Sequence, residues 1–507
     1  MDNDYIDKIA REGFIVVEGE DEGGKVAESC KGDNSIKLDR IGNKFIFYKD
    51  DAVNKPLKIE DLISILNTTV KRDDTNKIIT FLSMLTAYTE DSQCNVSFRA
   101  PSSTGKSHIP LEISSYFPEE DLRIIAYSSP TSFYHDNGTW DDERKVMIVD
   151  LERKILIFLD QPHDQLLQRL RTLLSHDKKE LLYKITDKRE KSGTRTKNVI
   201  IRGFPSVIFC TGSLKIDEQE ATRSFILSPE IDKEKIKEGI ILKALRKGNP
   251  NAFREFLGQH PERELLTQRI RLIKEANISY VIIKDYKLLS DRFLEKYPKL
   301  KSRNQRDIDH IISLITGLAL LNFWHREKDI EGVIYANGQD IEEGFNLFDK
   351  IAESQELGIA PYVHDVFRQV IKPLYLSKNT SDQEEGKGLE RREISAKYYE
   401  IYNKAIPEWS LKQDILAPLD SAGLIYQAEN PQDKRKMLVF LPAPPQTSIY
   451  PASAKSLEKY IELQGGAKQN SDALCEFCSS FAPCTLYNGK YACQSCLDTM
   501  QSDFTVQ

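Results

Sequence analysis

A chain that carries Ala100-Pro101-Ser102-Ser103-Thr104-Gly105-Lys106-Ser107 directly after an apolar run has few folds open to it. Val96 and Phe98 precede the segment, and residues able to form a helix follow it. The pattern is that of a phosphate-binding loop, with Ala100 where the strict form has glycine. Such a loop has to join a strand to a helix. Its backbone N–H groups meet an anion only through a tight turn at the positive end of a helix dipole. Lys106 is placed to reach the β- and γ-phosphates, and the Ser107 hydroxyl to ligate Mg²⁺. Thr104 and Gly105, with Ala100, Ser102 and Ser103, complete the cradle. The cofactors implied are ATP and Mg²⁺.

Two further runs have the form of buried strands ending in a polar residue. Lys154-Ile155-Leu156-Ile157-Phe158-Leu159-Asp160 places Asp160 at the carboxyl end, where α/β sheets bind ligands. Asp160 is the candidate to hold Mg²⁺ through water. The next residue is Gln161. A glutamine can orient an attacking water but cannot accept its proton. Hydrolysis is then slow, another acid such as Asp164 substitutes, or Gln161 is itself a trapping substitution. Ser206-Val207-Ile208-Phe209-Cys210-Thr211 ends in Thr211, a candidate to sense the γ-phosphate or the attacking water. Arg223 stands just before the apolar run Ser224 to Leu227, where it could stabilise a transferring phosphoryl group in trans.

Between Asp160 and Thr211, two alternating segments flank a Ser-Gly turn and read as a β-hairpin. Its tip carries Lys188, Arg189, Lys191, Arg195 and Lys197 against the single acid Glu190. The whole chain has 71 basic and 78 acidic residues, a net charge of −7, so any nucleic-acid contact has to come from a local patch of this kind. A solvated charged turn is the alternative.

The order of these parts resembles the AAA+ ATPases, nearest to minichromosome maintenance helicases and related viral or plasmid replication helicases. The resemblance spans roughly residues 90 to 320 and, more loosely, 389 to 442. It implies that Arg223 is a trans-acting arginine finger. Arg306 would lie near a second sensor arginine's helix, with Arg303 the competing choice. The basic hairpin would project into a central channel and grip DNA. Ala100, Gln161 and Thr211, where asparagine is more usual, depart from the family pattern.

At the carboxyl side, helical spacing from Leu411 to Ile425, capped by Gly423, is followed by a charged turn from Glu429 to Lys436 and a return strand. This resembles a winged helix with Lys434, Arg435 and Lys436 on its wing. Cys475-Glu476-Phe477-Cys478 and Cys493-Gln494-Ser495-Cys496 are separated by 14 residues, a strong spacing for tetrahedral Zn²⁺. Cys484 is either a replacement ligand or a packed thiol. Four sulfurs leave no open position, so the site is structural and needs the metal to fold.

The expected class is therefore α/β: a P-loop AAA+ domain with a helical segment, a winged-helix domain and a small zinc ribbon. The expected divisions are a β-rich module at 1–55, an ATPase core with the basic hairpin at 56–231, a helical region at 232–376, the winged helix at 389–442 and the ribbon at 473–500. The start Met1-Asp2-Asn3-Asp4 is acidic, and the apolar stretch from Ile311 to Trp324 is too short and polar to span a bilayer. An intracellular, cytoplasmic protein without membrane contact is expected. The function expected is an ATP-dependent DNA helicase or translocase in replication, acting on single-stranded or forked DNA as a homo-oligomer, with a hexamer one candidate. A nucleotide-switched DNA-binding initiator or loader with little hydrolysis is the first alternative. An ATP-gated transcription or signalling regulator is the second.

Overall fold

Asn95–Arg99 is buried along its whole length, which only an interior strand covered on both faces can be. We call it β1. It belongs to a sheet with β2 (Leu122–Ile125), β3 (Ile155–Phe158), β4 (Ser206–Thr211) and β5 (Ser224–Leu227). The strand order is β5-β1-β4-β3-β2, and every pairing is parallel. The computed structural model describes residues 9, 14–30, 36–41, 43–49, 53–129, 133, 138–187, 195–214, 216, 222–329, 332–379, 387–442, 472–474, 481–487 and 490–493. The chain divides into two units, Met1–Pro442 and Ala443–Gln507.

Alternation along the strands sends side chains to opposite faces. Ile155 and Ile157 of β3, with Ile208 and Cys210 of β4, join one apolar cluster. Leu156, Phe158, Val207 and Phe209 join another. Three helices cover the first face: α1 (Asp74–Thr86), α2 (His108–Ser114) and, further on, the buried helix of Asn304–Leu321. Helix α3 (Asp164–Leu174) covers the second through Leu166 and Leu170. This is a mixed α/β fold with a five-stranded parallel sheet flanked by helices, compatible with a P-loop-like domain.

The basic hairpin is rooted in a second sheet. Glu180–Asp187 and Arg195–Arg202 pair antiparallel from Arg195↔Asp187 to Arg202↔Glu180. Val146–Asp150 then pairs in parallel with the stretch from Val199 to Arg202, and Thr139–Asp141 closes the other edge. The inner half of the hairpin is thus held by a neighbour strand, and the half toward its tip extends beyond it. Val199 and Ile201 pack with Leu166 and Leu170, so the root is fixed on the core.

At the amino side, Phe14–Glu18, Ile36–Ile41 and Lys44–Lys49 form an antiparallel sheet, with a helix at Glu20–Ser29 that the sequence pattern did not suggest. Ile46 and Tyr48 enter the main core. Residues 232–376 contain helices α4 (Lys233–Gly248), α5 (Glu262–Ala276) and α6, the Asn304–Leu321 helix, with a small sheet of Val281–Ile283, Ile334–Ala336 and Glu327–Lys328. Among the described residues, no helix is long and apolar enough to cross a membrane.

From Leu389 on, a helix α7 (Arg391–Tyr402), a helical stretch over residues 408–421 and a three-stranded antiparallel sheet follow one another. Gly423, at φ +71°, ends the helical stretch. The segments Phe367–Ile371 and Leu411–Leu416 widen into π-turns just before Pro373 and Pro418. A proline has no N–H for the carbonyl four residues earlier, and a wider turn gives that region other partners. In the second unit, Phe481–Tyr487 pairs with Asp472–Leu474 and with Lys490–Cys493, and Cys484 stands directly opposite Cys493 in the backbone register.

On one edge of the main sheet, β5 has its Ile226 peptide groups paired by a side chain. Gln355 is fully buried; its amide NH₂ donates to the Ile226 carbonyl at 2.7 Å and its carbonyl accepts from the Ile226 N–H at 3.2 Å. Replacing Gln355 with leucine orphans both groups at about 1–3 kcal/mol each. The urea midpoint of Gln355→Leu is therefore expected to fall while the m-value stays at the wild-type level.

Candidate functional site

The strand registers bring three carboxyl ends to one level. Thr211 pairs with Arg99 across β4 and β1, and Phe209 pairs with Phe158 across β4 and β3. The loop that leaves β1, the Thr211 end of β4 and the Asp160 turn after β3 are consequently neighbours. The Thr211 hydroxyl donates to Gln161 Oε1 at 2.9 Å and accepts from the Ser213 N–H at 3.1 Å. Asp160 is exposed, with one carboxylate oxygen 2.8 Å from the Gln161 N–H. Asp164 opens α3.

The loop's backbone alternates in hand. Ser103 at φ +70° and Gly105 at φ +99° alternate with ordinary residues, the kind of turn that gathers successive N–H groups around one concavity. A serine at positive φ is itself uncommon. The Thr104 hydroxyl donates to the Pro101 carbonyl at 2.9 Å and braces the turn. Ala100 is fully buried, and its N–H reaches the Thr211 carbonyl at 3.5 Å. Behind the loop, the Cys210 thiol donates to the Lys106 carbonyl at 3.5 Å. Burial pushes this thiol up to about 12, so it stays protonated and keeps its donor. Ser107 lies within hydrogen-bonding reach of the same thiol.

Arg99, which the sequence pattern did not single out, is the structural key to this corner. It is fully buried, donates from Nε to Ser97 Oγ at 3.1 Å, and donates from Nη1 to the Ser213 carbonyl at 3.1 Å. It ties the residue before the loop to the turn after Thr211. The signal available beforehand was a lone charge at the end of a strand with no other charged residue.

A cleft of about 610 Å³ opens beside the loop at Ser102–Gly105 and His108. Lys106, Ser107, Asp160, Gln161 and Thr211 are not among its lining residues. Its far wall is α4, which exposes Ile236 and Ile240, and its floor includes Thr69 and Val70. Lys71, Lys235, Lys243, Arg246, Lys247 and Lys404 line it against the acids Asp73 and Glu230. Apolar side chains and cations on the same lining are a combination that can hold a nucleotide. Helix α4 is clamped in place from two directions. Arg246 donates to both oxygens of Glu112 on α2, at 2.6 and 2.8 Å. Burial alone would raise the Glu112 carboxyl, but the bonds and charge of Arg246 bring it below its usual value. Lys235 pairs with the fully buried Asp73.

A second cavity, of about 750 Å³, lies at the other end of the sheet. Cys94, Arg223, Arg306, His176 and His310 line it. The Arg223 carbonyl accepts from Asn95 Nδ2 at 3.3 Å, at the first residue of β1. Five residues of strand, about 3.3 Å each, separate this end from the phosphate loop of the same chain. Arg223 and Arg306 are thus brought together, and neither lines the loop cleft. Arg303 pairs instead with Asp307, at 3.0 Å.

Of the hairpin cations, Lys188, Arg189 and Lys191 lie outside the described residues, Arg195 begins its strand, and Lys197 pairs across to Ile185. Cys475, Cys478 and Cys496 also lie outside the described residues. Among the described residues, no group of three or more His, Cys, Asp or Glu could hold a metal ion. No family model matches the chain, and no curated protein matches it in sequence.

His310, which is buried, and His176, which is partly so, make stability depend on pH. Burial, then the charge of Arg306, lowers His176 to about 4. Burial, then Arg303, Arg306 and His176, lowers His310 to about 3. Above pH 6.5 both are neutral folded or unfolded. Below it the unfolded chain takes up protons that the folded chain refuses, so stability falls with falling pH, by up to about 1.4 kcal/mol per pH unit per histidine. Between pH 6.5 and 5, thermal melts of His310→Phe are expected to lose less Tm than wild type.

Proposed function

We propose that this chain is an AAA+-type, Mg²⁺-dependent ATPase that works on DNA, with helicase or translocase activity in replication. The observation that carries the reading is the parallel register that sets the Ala100–Ser107 loop, Thr211 and Asp160 at one edge of the sheet. In this reading ATP extends from the cleft beside Ser102–Gly105 across the loop to Lys106 and Ser107, which lie outside the cleft's lining. Lys106 holds its β- and γ-phosphates, and Ser107 and Asp160 hold Mg²⁺, the latter through water. The cofactor's part is to polarise the phosphoryl group being transferred. Arg99 and Cys210 keep the loop at the level of Thr211.

The position of Arg223 and Arg306, a strand's length from their own loop, supports a homo-oligomer in which they act on a neighbouring copy's nucleotide. A ring such as a hexamer would also repeat the basic hairpin tips around one strand, where weak phosphate contacts gain by multivalency. The segment 389–442, with helices and a three-stranded sheet, is read as a winged helix, although the charged stretch expected as a turn is largely strand: Lys434, Arg435 and Lys436 lie in Asp433–Phe440 and the turn itself is Pro431-Gln432. The cysteine pairs are read as a zinc ribbon.

One contact favours a second reading. Gln161, not a carboxylate, receives the Thr211 hydroxyl, so this pair offers an attacking water no general base. A nucleotide-switched initiator or loader that hydrolyses little fits that arrangement.

ATP turnover with and without single-stranded DNA separates the two. The motor reading expects DNA-stimulated turnover that Lys106→Ala abolishes. A switch expects almost none in wild type and a gain of at least about tenfold in Gln161→Glu. Site-specific duplex binding with no turnover in either form would point to a regulator instead. Metal analysis is expected to return one zinc per chain, lost in Cys475→Ser/Cys478→Ser.

A further inference from the structure

The segment from Leu389 to Leu441 is joined to the loop cleft by direct contacts. Tyr362, in the short helix Pro361–Val366, and Tyr398 of α7 share a hydrogen bond between their hydroxyls at 2.5 Å. The Tyr362 N–H donates to Ser228 Oγ at 3.1 Å, and the Ser228 hydroxyl donates to the Arg99 carbonyl at 2.6 Å. Arg99 is the residue before Ala100. Hydrogen bonds at the side-chain and backbone ends of Tyr362 therefore link α7, through Ser228, to the residue before the loop. A second line is apolar: Leu214, three residues beyond Thr211, is buried in the same cluster as Ile394, Tyr398 and Ile415.

The cleft side of this module also faces the loop. Tyr362, Tyr398, Tyr402 and Lys404 line the cavity that holds Ser102–Gly105. Asn403, at φ +50°, ends α7 in the left-handed conformation, and its N–H bonds back to the Tyr399 carbonyl at 2.8 Å. That turn carries the exposed Lys404 to the cavity wall. Burial raises Tyr398 and Tyr402, so the aromatic part of the wall stays neutral and the charge on it is that of Lys404.

We propose that α7 and Lys404 form a wall of the nucleotide site in their own chain, so that the 389–442 module reads whether the phosphate loop is filled. The ligand class is a nucleoside triphosphate, and the inference rests on the loop being its site. Lys404 attracts the anionic end of the ligand. The Tyr362–Ser228–Arg99 bonds and the Leu214 contact pass the ordering of the loop and of the Thr211 turn to α7. Because coupling is reciprocal, anything that binds this module alters the affinity of the loop for nucleotide by the same factor.

Hydrogen–deuterium exchange of the full chain, with and without Mg²⁺ and a non-hydrolysable ATP analogue, tests this beside fluorescence titrations with a labelled ATP. Slowed exchange is expected both in residues 101–107 and in residues 391–404. Lys404→Glu is expected to raise the Kd at least about fivefold and to remove the protection of 391–404. Lys404→Ala is expected to do so more weakly, with exchange elsewhere at wild-type rates. Protection confined to 101–107, with the Lys404 variants within twofold of wild type, overturns the inference and leaves the nucleotide site standing. No protection at 101–107, and a Kd unaltered in Lys106→Ala, overturns the nucleotide reading and this inference with it.

Discussion

The parallel ladders between β1, β4 and β3 set the level of everything around the loop. Parallel strands share a direction, so their carboxyl ends emerge on the same edge, and register alone decides which residues meet there. Thr211 beside Arg99, and Phe209 beside Phe158, leave the loop, the Thr211 turn and the Asp160 turn as neighbours. A one-residue slip would turn every side chain of β4 to the opposite face and undo both apolar layers. The cores on the two faces therefore hold the site in register as well as stabilising the sheet.

Around that edge, buried and half-buried charges and polar groups act as ties. Arg99 joins the loop root to Ser213, and Arg246 joins α4 to α2. Asp73 draws Lys235, Asn76 and the Glu230 backbone together under the cleft. Each is a group that would be costly to bury alone and is satisfied by a partner from a distant part of the chain. These ties explain how a surface cleft can have a defined shape although α4 exposes Ile236 and Ile240.

Much of the fold was legible where side-chain pattern and backbone demand coincide. The runs ending at Arg99, Phe158 and Thr211 are strands buried on both faces, and the loop between Ala100 and Ser107 has to be a strand-to-helix turn. The stem of the basic hairpin was legible from alternation; its third and fourth strands were not, since Thr139–Asp141 is three residues long and largely exposed. The helix at Glu20–Ser29 was hidden by a Gly-Gly pair, which disfavours a helix locally. There it survives because Val26 is buried, and Gly23 lies where a Cβ would stand 2.6 Å from the Phe45 ring.

The sequence by itself determined the local chemistry: a phosphate-type loop, two polar strand ends, a cationic turn and two cysteine pairs, because each depends on residues close together in the chain. Only the tertiary structure decided which of them meet. Gln161 reaches Thr211 across 50 positions, and Arg99 reaches Ser213 across 114. Arg223 and Arg306 come to share a cavity at the end of the sheet away from their own loop, and Lys404 comes to the cleft beside it. No spacing rule encodes such meetings. They follow from strand order and from which faces of the helices are buried, and both are settled by the packing of the whole chain.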